Sequence, residues 1–151
     1  MLVYRLSLTI YAKDISGEGS RLFGGRWNKP GTGCIYTAES RALTVLESLV
    51  RDTIDTNPHG LSIITFDVPD ENVLVLKQGQ LPDGWNAVEV SEVTQNFGSA
   101  IIAKGEHLMI GVPSVVIPQE YNYIINPAHV AIKSLKIKNI SNFSFDTRLK
   151  K

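Results

Sequence analysis

The chain has 151 residues, 43% hydrophobic and 20% charged, with fifteen basic residues against fifteen acidic ones and a sequence pI of about 6.8. This is the composition of one ordinary globular domain, residues 1–151, with enough chain for a proper core. It argues against a nucleic-acid-binding module, which normally declares itself by a basic face, while leaving room for a local basic groove, and no apolar run approaches the roughly 18 residues of a membrane span.

The lone Cys34 has no internal disulfide partner, and no signal-peptide pattern opens the chain, so a reducing, cytoplasmic setting is expected. His59, His107 and His129 are scattered, with no metal-ligand spacing between them or to Cys34, so no metal site is expected.

In chain order, Leu2 to Leu6 reads as a first strand interrupted by Arg5. Lys13 to Gly19 is a turn-rich connection, and Arg21 precedes the densest stretch of the chain, Gly24 to Tyr36. There Gly24 and Gly25 lead into Arg26, Trp27 and Asn28, Pro30 and Gly31 force a turn, and Cys34 to Tyr36 leaves it as a short strand. A guanidinium, an aromatic face and an amide on one tight loop suit a flat, anionic, polar ligand. Taken alone, the stretch also reads as a glycine-rich hairpin with a surface arginine and a core tryptophan.

Ser40 to Arg51 reads as a helix, capped by Thr37 or Ser40. Ala42, Leu43, Val45, Leu46, Leu49 and Val50 form one broad apolar arc, expected to face the core. Glu47 stands at the edge of that arc, half-buried, either as a functional carboxylate or as a boundary residue paired with Arg51.

Asn57 to Gly60 is a turn, Leu61 to Val68 a strand and Val73 to Leu76 another; Gln78 to Trp85 is a loop. Val93 to Lys104 is helical despite Gly98, and Leu108 to Ile110 is a strand. The apolar run from Val112 to Pro118 is bracketed by prolines, so part of it is expected at an edge or bulge. Ser114 is its only hydroxyl, with a bond to neighbouring backbone as the structural alternative. Tyr121 to Pro127 is a strand closing in a turn at Asn126, Ile132–Ile140 and Phe143–Phe145 form a last strand pair, and Arg148 to Lys151 is a solvated basic tail.

Strands outnumber helices and are not regularly separated by them, which indicates α+β. There is no internal repeat, no low-complexity segment, no usable GxGxxG fingerprint and no P-loop.

The motifs Tyr4-Arg5-Leu6, Gly17 to Asn28, Tyr36 to Ser40, Leu46-Glu47, Leu81-Pro82, Val112-Pro113-Ser114, Asn122 to His129, and Phe145-Asp146 with Arg148-Leu149 occur in this order. Together they resemble the RES-domain family, toxins paired with Xre-type helix-turn-helix antitoxins, over nearly the whole chain. The arginine, glutamate and serine that name the family match Arg26, Glu47 and Ser114.

The resemblance implies an ADP-ribosyltransferase-like fold, with a split, mainly antiparallel sheet and flanking helices. It implies NAD as a substrate, with no prosthetic group, cleaved between nicotinamide and ribose by water or phosphate so that growth arrests. Some relatives instead pass ADP-ribose to a protein. Glu47 would stabilise the oxocarbenium-like sugar or hold its hydroxyls, Arg26 would grip the pyrophosphate or ribose edge, Tyr36 would stack on nicotinamide or flank the ribose, and Ser114 would orient the ligand or Glu47. Gly25, Trp27, Asn28 and Thr37 join the ligand-binding set, Trp27 and Asn28 more by shaping the loop than by touching the ligand, and Arg5 and Asn126 complete its polar wall.

The partners implied are an Xre-type antitoxin and a second copy of the chain. Departures from the family pattern are Phe97 to Ile102 where a tryptophan-containing helix is usual, Ser20 in place of a small apolar residue, and Lys29 at a turn that is often uncharged. A non-catalytic NAD-binding partner of the antitoxin is a competing reading. An RNase would need a basic groove and usually a histidine pair, against the balanced charge and scattered histidines.

Overall fold

The computed structural model describes residues 1–51 and 60–149. The turn expected at Asn57 to His59 and the last two lysines of the tail lie outside them. The elements follow the order β1 (Leu2–Leu8), α1 (Glu18–Phe23), β2 (Ile35–Ala38), α2 (Arg41–Arg51), β3 (Leu61–Asp67), β4 (Val73–Val75), α3 (Glu92–Lys104), β5 (Met109–Pro113), β6 (Tyr121–Ile125) and β7 (Lys136–Phe143), with short 3₁₀ turns between several of them. This is an α+β chain built on one seven-stranded mixed sheet, in the order β4-β5-β6-β2-β1-β3-β7. Every pairing is antiparallel except β4 with β5.

Side chains alternate across a strand, so consecutive residues feed opposite faces. Ile35, Met109 and Ile125 enter one apolar cluster with Val3, Ile64 and Phe66. Their neighbours Cys34, Ile110 and Ile124 enter a second with Trp27, Trp85 and Ile102. The sheet therefore carries a core on each face.

The joint between β1 and β2 decides where a site can form. β1 pairs with β3 along its whole length, from Leu2 opposite Asp67 to Leu8 opposite Leu61. With β2 it shares one pair, Tyr4 opposite Ala38. Beyond that pair the two strands diverge and the sheet splits.

The expected packing of α2 holds in part, for Leu43 is in the core and Val45, Leu46 and Leu49 are half-buried. Val50 is 60% exposed and Ala42 is exposed, whereas Leu43, Thr44 and Ser48 are buried. The apolar arc does not point at the sheet as a whole, because the gap leaves the Leu6 N–H without a strand partner. Thr44 Oγ1 accepts that proton at 3.3 Å, and Ser48 Oγ donates to the Thr44 carbonyl. A buried amide left unpaired costs about 1–3 kcal/mol, so the polar face turns inward. Ser40, not Thr37, caps the helix, accepting from Leu43 N–H.

Two further expectations are corrected. Glu18 to Phe23, read as connection and loop, is a short helix closed at Gly24, whose φ of 73° suits glycine. Part of the run from Val112 does lie at an edge: β4 pairs with β5 only as far as Gly111, so Val112 and Pro113 are paired on the β6 side alone, and the chain leaves the sheet after Pro113. The final segment is one strand, β7, preceded by a 3₁₀ turn at Val130–Ser134, rather than a strand pair.

Candidate active site

Glu47 lies on the inward side of α2, above the sheet. Its Oε1 accepts two hydrogen bonds, from Ser114 Oγ at 2.7 Å and from Asn122 Nδ2 at 2.6 Å. Ser114 is fully buried where β5 ends. Its oxygen also accepts from the N–H groups of Val116 and Ile117, so its one proton is directed at the carboxylate. Both readings of Ser114 are therefore realised in one group. The alternative pairing of Glu47 with Arg51 is absent from the side chains: Arg51 Nε donates to the Glu47 backbone carbonyl, at 3.4 Å.

Arg26 stands within electrostatic reach of Glu47. Burial pulls its guanidinium below the usual arginine value, and the Glu47 and Tyr36 charges oppose that shift. Its Nη1 donates to the carbonyls of Trp85 at 2.9 Å and Ala87 at 2.8 Å. Among the described residues Nε and Nη2 make no hydrogen bond. The arginine thus ties the loop before α3 to the glycine stretch and keeps one edge unused.

Tyr36 is different. Its hydroxyl donates to Asn28 Oδ1 at 2.6 Å and accepts from Trp27 N–H at 3.0 Å. Burial raises its pKa well above the ordinary tyrosine value. What it offers a ligand is its ring. Gly25 explains itself here, since a Cβ would lie 2.7 Å from the Tyr36 hydroxyl and 2.9 Å from the ring.

Four of the expected ligand contacts are sealed inside. Trp27 is 4% exposed and stacks on Trp85 with centroids 6.3 Å apart. Asn28 is fully buried and its Nδ2 donates to the carbonyls of Ser20 and Thr32. Thr37 Oγ1 donates to the Tyr123 carbonyl. Asn126 Nδ2 donates to the Ile102 carbonyl, and its Oδ1 accepts from Ala128 N–H. These residues hold the walls. Arg5 is likewise committed, donating to the carbonyls of Tyr11, Ala12 and Asp14, although its buried Nε has no partner.

A cavity of about 440 Å³ opens in the split between β1 and β2. Arg5, Tyr11, Phe23, Tyr36, Thr44 and Arg51 are among its lining residues. Arg26, Glu47 and Ser114 do not line it. Helix α2 is common to both: it gives Thr44 and Arg51 to the cavity and carries Glu47 to Ser114 and Asn122. The sequence named Arg51 only as a possible partner of Glu47 and Asn122 only within a motif, and assigned neither a place at the site. Asn122 had one signal: an amide between Tyr121 and Tyr123 in a strand, where asparagine is depleted.

Among the described residues no group of three His, Cys, Asp or Glu side chains is placed to hold a metal ion, and no helix is long and apolar enough to cross a membrane.

A family model described as RES domain matches residues 2–147. A Prs ADP-ribosylating toxin of Sphingobium sp. (strain YBL2) is 37% identical over 144 residues, covering 93% of this chain and 89% of its own length. A Toxin Res of Photorhabdus laumondii is 34% identical, covering 100% of this chain and 98% of its own. A Toxin Res of Yersinia enterocolitica is 30% identical, covering 99% and 100%.

Proposed function

The chain belongs to the RES domain family, and on that premise we propose that it is a toxin with an ADP-ribosyltransferase-like fold that consumes NAD in the cytoplasm and is held in check by an Xre-type antitoxin. The observation that carries this reading is the Glu47 carboxylate, held through Oε1 by Ser114 and Asn122 while facing the field of Arg26. Helix α2, which carries Glu47, also lends Thr44 and Arg51 to a cleft that Tyr36 helps to line.

The chemistry follows from the charge that develops. As the bond between C1′ of the ribose and the nicotinamide nitrogen breaks, its electron pair neutralises the pyridinium. The sugar acquires oxocarbenium character. A carboxylate fixed beside the ring stabilises that cation and accepts hydrogen bonds from its hydroxyls. An oxygen of water or phosphate then bonds to C1′ and loses its proton, giving ADP-ribose or its 1″-phosphate. Arg26 offers Nε and Nη2 to the pyrophosphate, for which a forked donor is the best match. Tyr36 stacks on a flat ring. Gly25 keeps the Tyr36 ring in place, Trp27, Asn28, Thr37 and Asn126 build the walls, and Arg5 fixes the loop beside the cleft.

A second reading, transfer of ADP-ribose to a protein, is favoured by one observation: the relative at 37% identity is named an ADP-ribosylating toxin. Purified chain incubated with NAD, with and without phosphate, separates the two by chromatography. Release of nicotinamide with free ADP-ribose, or with its phosphate, supports the first. Nicotinamide release only when cell lysate is added, with label retained on a protein band, supports the second. NAD left intact under both conditions defeats both.

A further inference from the structure

Both recognised donors at Glu47 converge on the same oxygen, and the second of them is Asn122. We propose that Asn122 is a positioning residue of the site: with Ser114 it saturates Oε1 of Glu47, so that Oε2 is the atom presented to the vicinal hydroxyls of a ribose. The proposal rests on the NAD-cleaving reading for the identity of the ribose, but not for the positioning itself.

Three features of the structure support it. Asn122 is the second residue of β6, opposite Ala38 on β2 and Val112 on β5, so its backbone is flanked by a strand on both sides. The reach of its amide to Glu47 is therefore fixed by the sheet rather than by a loop. Ser114 has no freedom either, since its oxygen is occupied by two backbone N–H groups and its proton points at Oε1. Two rigid donors on one oxygen set the rotation of the carboxylate about its last torsion, which is otherwise broad. Among the described residues Oε2 receives no hydrogen bond. An oxygen so placed is an acceptor waiting for a donor, and a ribose hydroxyl is a donor of the right kind. A carboxylate that must also be aligned at the moment of reaction gains rate from being aligned beforehand.

Asn122→Asp keeps the shape and removes the donor; Asn122→Ser is the second variant, in case the added charge prevents folding. Two measurements read the result in protein that unfolds cooperatively. The first compares turnover of NAD with that of its analogue lacking the 2′-hydroxyl on the nicotinamide ribose. In the wild type NAD is preferred at least tenfold. In the variants kcat for NAD falls about 10- to 100-fold with KM changed less than about threefold, and the preference shrinks toward one. A fall in kcat that leaves the preference intact makes Asn122 a structural residue and overturns the proposal.

The second measurement needs no substrate. The ¹³C relaxation of the Glu47 side-chain carboxyl reports its order. Order lost in the variants supports positioning, and unchanged order overturns it even if the wild type proves unable to cleave NAD. A wild type that is inactive on NAD but loses carboxylate order in the variants removes the NAD reading and leaves the positioning standing.

Discussion

In the glycine loop Asn28 is fully buried, its amide nitrogen donates to the carbonyls of Ser20 and Thr32, and its oxygen takes the Tyr36 hydroxyl. At the carboxylate Glu47 is only half-buried, and its two bonds fall on a single oxygen. Around Asn28 the polar groups form a closed set and satisfy one another, and of that loop Arg26 keeps donors unused among the described residues. The carboxylate is an open set with an acceptor remaining. Both regions are carried by motif residues, so a motif alone does not separate the residues that shape a site from those that act in it. The separation appears when each polar atom is assigned its partner.

The comparison is broken or sharpened by substitutions on either side of it. The largest effect belongs to the open set. Glu47→Gln is expected to lower NAD turnover by about 10²–10⁴-fold, the range of positioned acid–base and charge-stabilising groups. Its cooperative thermal unfolding should remain within a few degrees of wild type. A folded Glu47→Gln chain with full turnover would remove Glu47 from the reaction.

The closed set should respond through stability. Gly98 on α3 lies against Trp27, and a Cβ there would meet the Trp27 carbonyl oxygen at 2.0 Å. Neither the helix backbone nor the loop backbone can yield that distance cheaply. Gly98→Ala is expected to destabilise by about 3 kcal/mol in urea unfolding, with altered tryptophan fluorescence from the Trp27–Trp85 stack. A loss under 1 kcal/mol would mean that the loop is far more pliable than its hydrogen bonds imply.

Cys34 tests whether the loop excludes water. Burial raises its thiol from 9.0 to about 11. The unfolded thiol therefore ionises first: its contribution to stability is complete below pH 9 and lost as pH climbs from 9 to about 11. The loss is on the order of 2 kcal/mol, measured as the difference in pH dependence between wild type and Cys34→Ala. Equal curves would show the thiol to be hydrated.

The smallest effect on turnover separates ring from hydroxyl. Tyr36→Phe leaves Asn28 Oδ1 and Trp27 N–H without their shared partner, at a cost of about 2 kcal/mol. Turnover should change less than about fivefold, because that hydroxyl has no remaining atom for a ligand. A much larger loss of turnover would place the hydroxyl in the chemistry.

Much of the fold was legible from local pattern. The strand at Leu61, the helix ending at Lys104 and the helix containing Glu47 follow from periodicity. Which way that helix faces did not, because the reason is an unpaired Leu6 N–H on another element, which Thr44 satisfies. α1 was hidden by Gly17, Gly19 and Gly24, which read as turns; its ends are closed locally, Ser16 Oγ accepting from Glu18 N–H and Gly24 N–H donating to Ser20.

At the site, Arg26, Glu47 and Ser114 stood out through their order along the chain, and Glu47 and Ser114 are found in contact. Asn122 did not, since its importance lies in a contact across 75 residues that no window of sequence spans. Asn126 and Thr37, polar residues of the same motifs, are buried and bonded to the Ile102 and Tyr123 carbonyls, contacts that no local pattern shows.

The long closure of the carboxylate's two bonds, 67 and 75 residues of intervening chain, has a consequence for synthesis. At roughly 5–20 residues per second, α2 leaves the ribosome about 4–15 seconds before Asn122 does. β2, likewise, has to wait for β6. A nascent or truncated chain therefore holds the glutamate without the groups that aim it. The carboxylate's two contacts are completed only when synthesis is nearly complete, and a chain cut short of β6 would lack the one from Asn122.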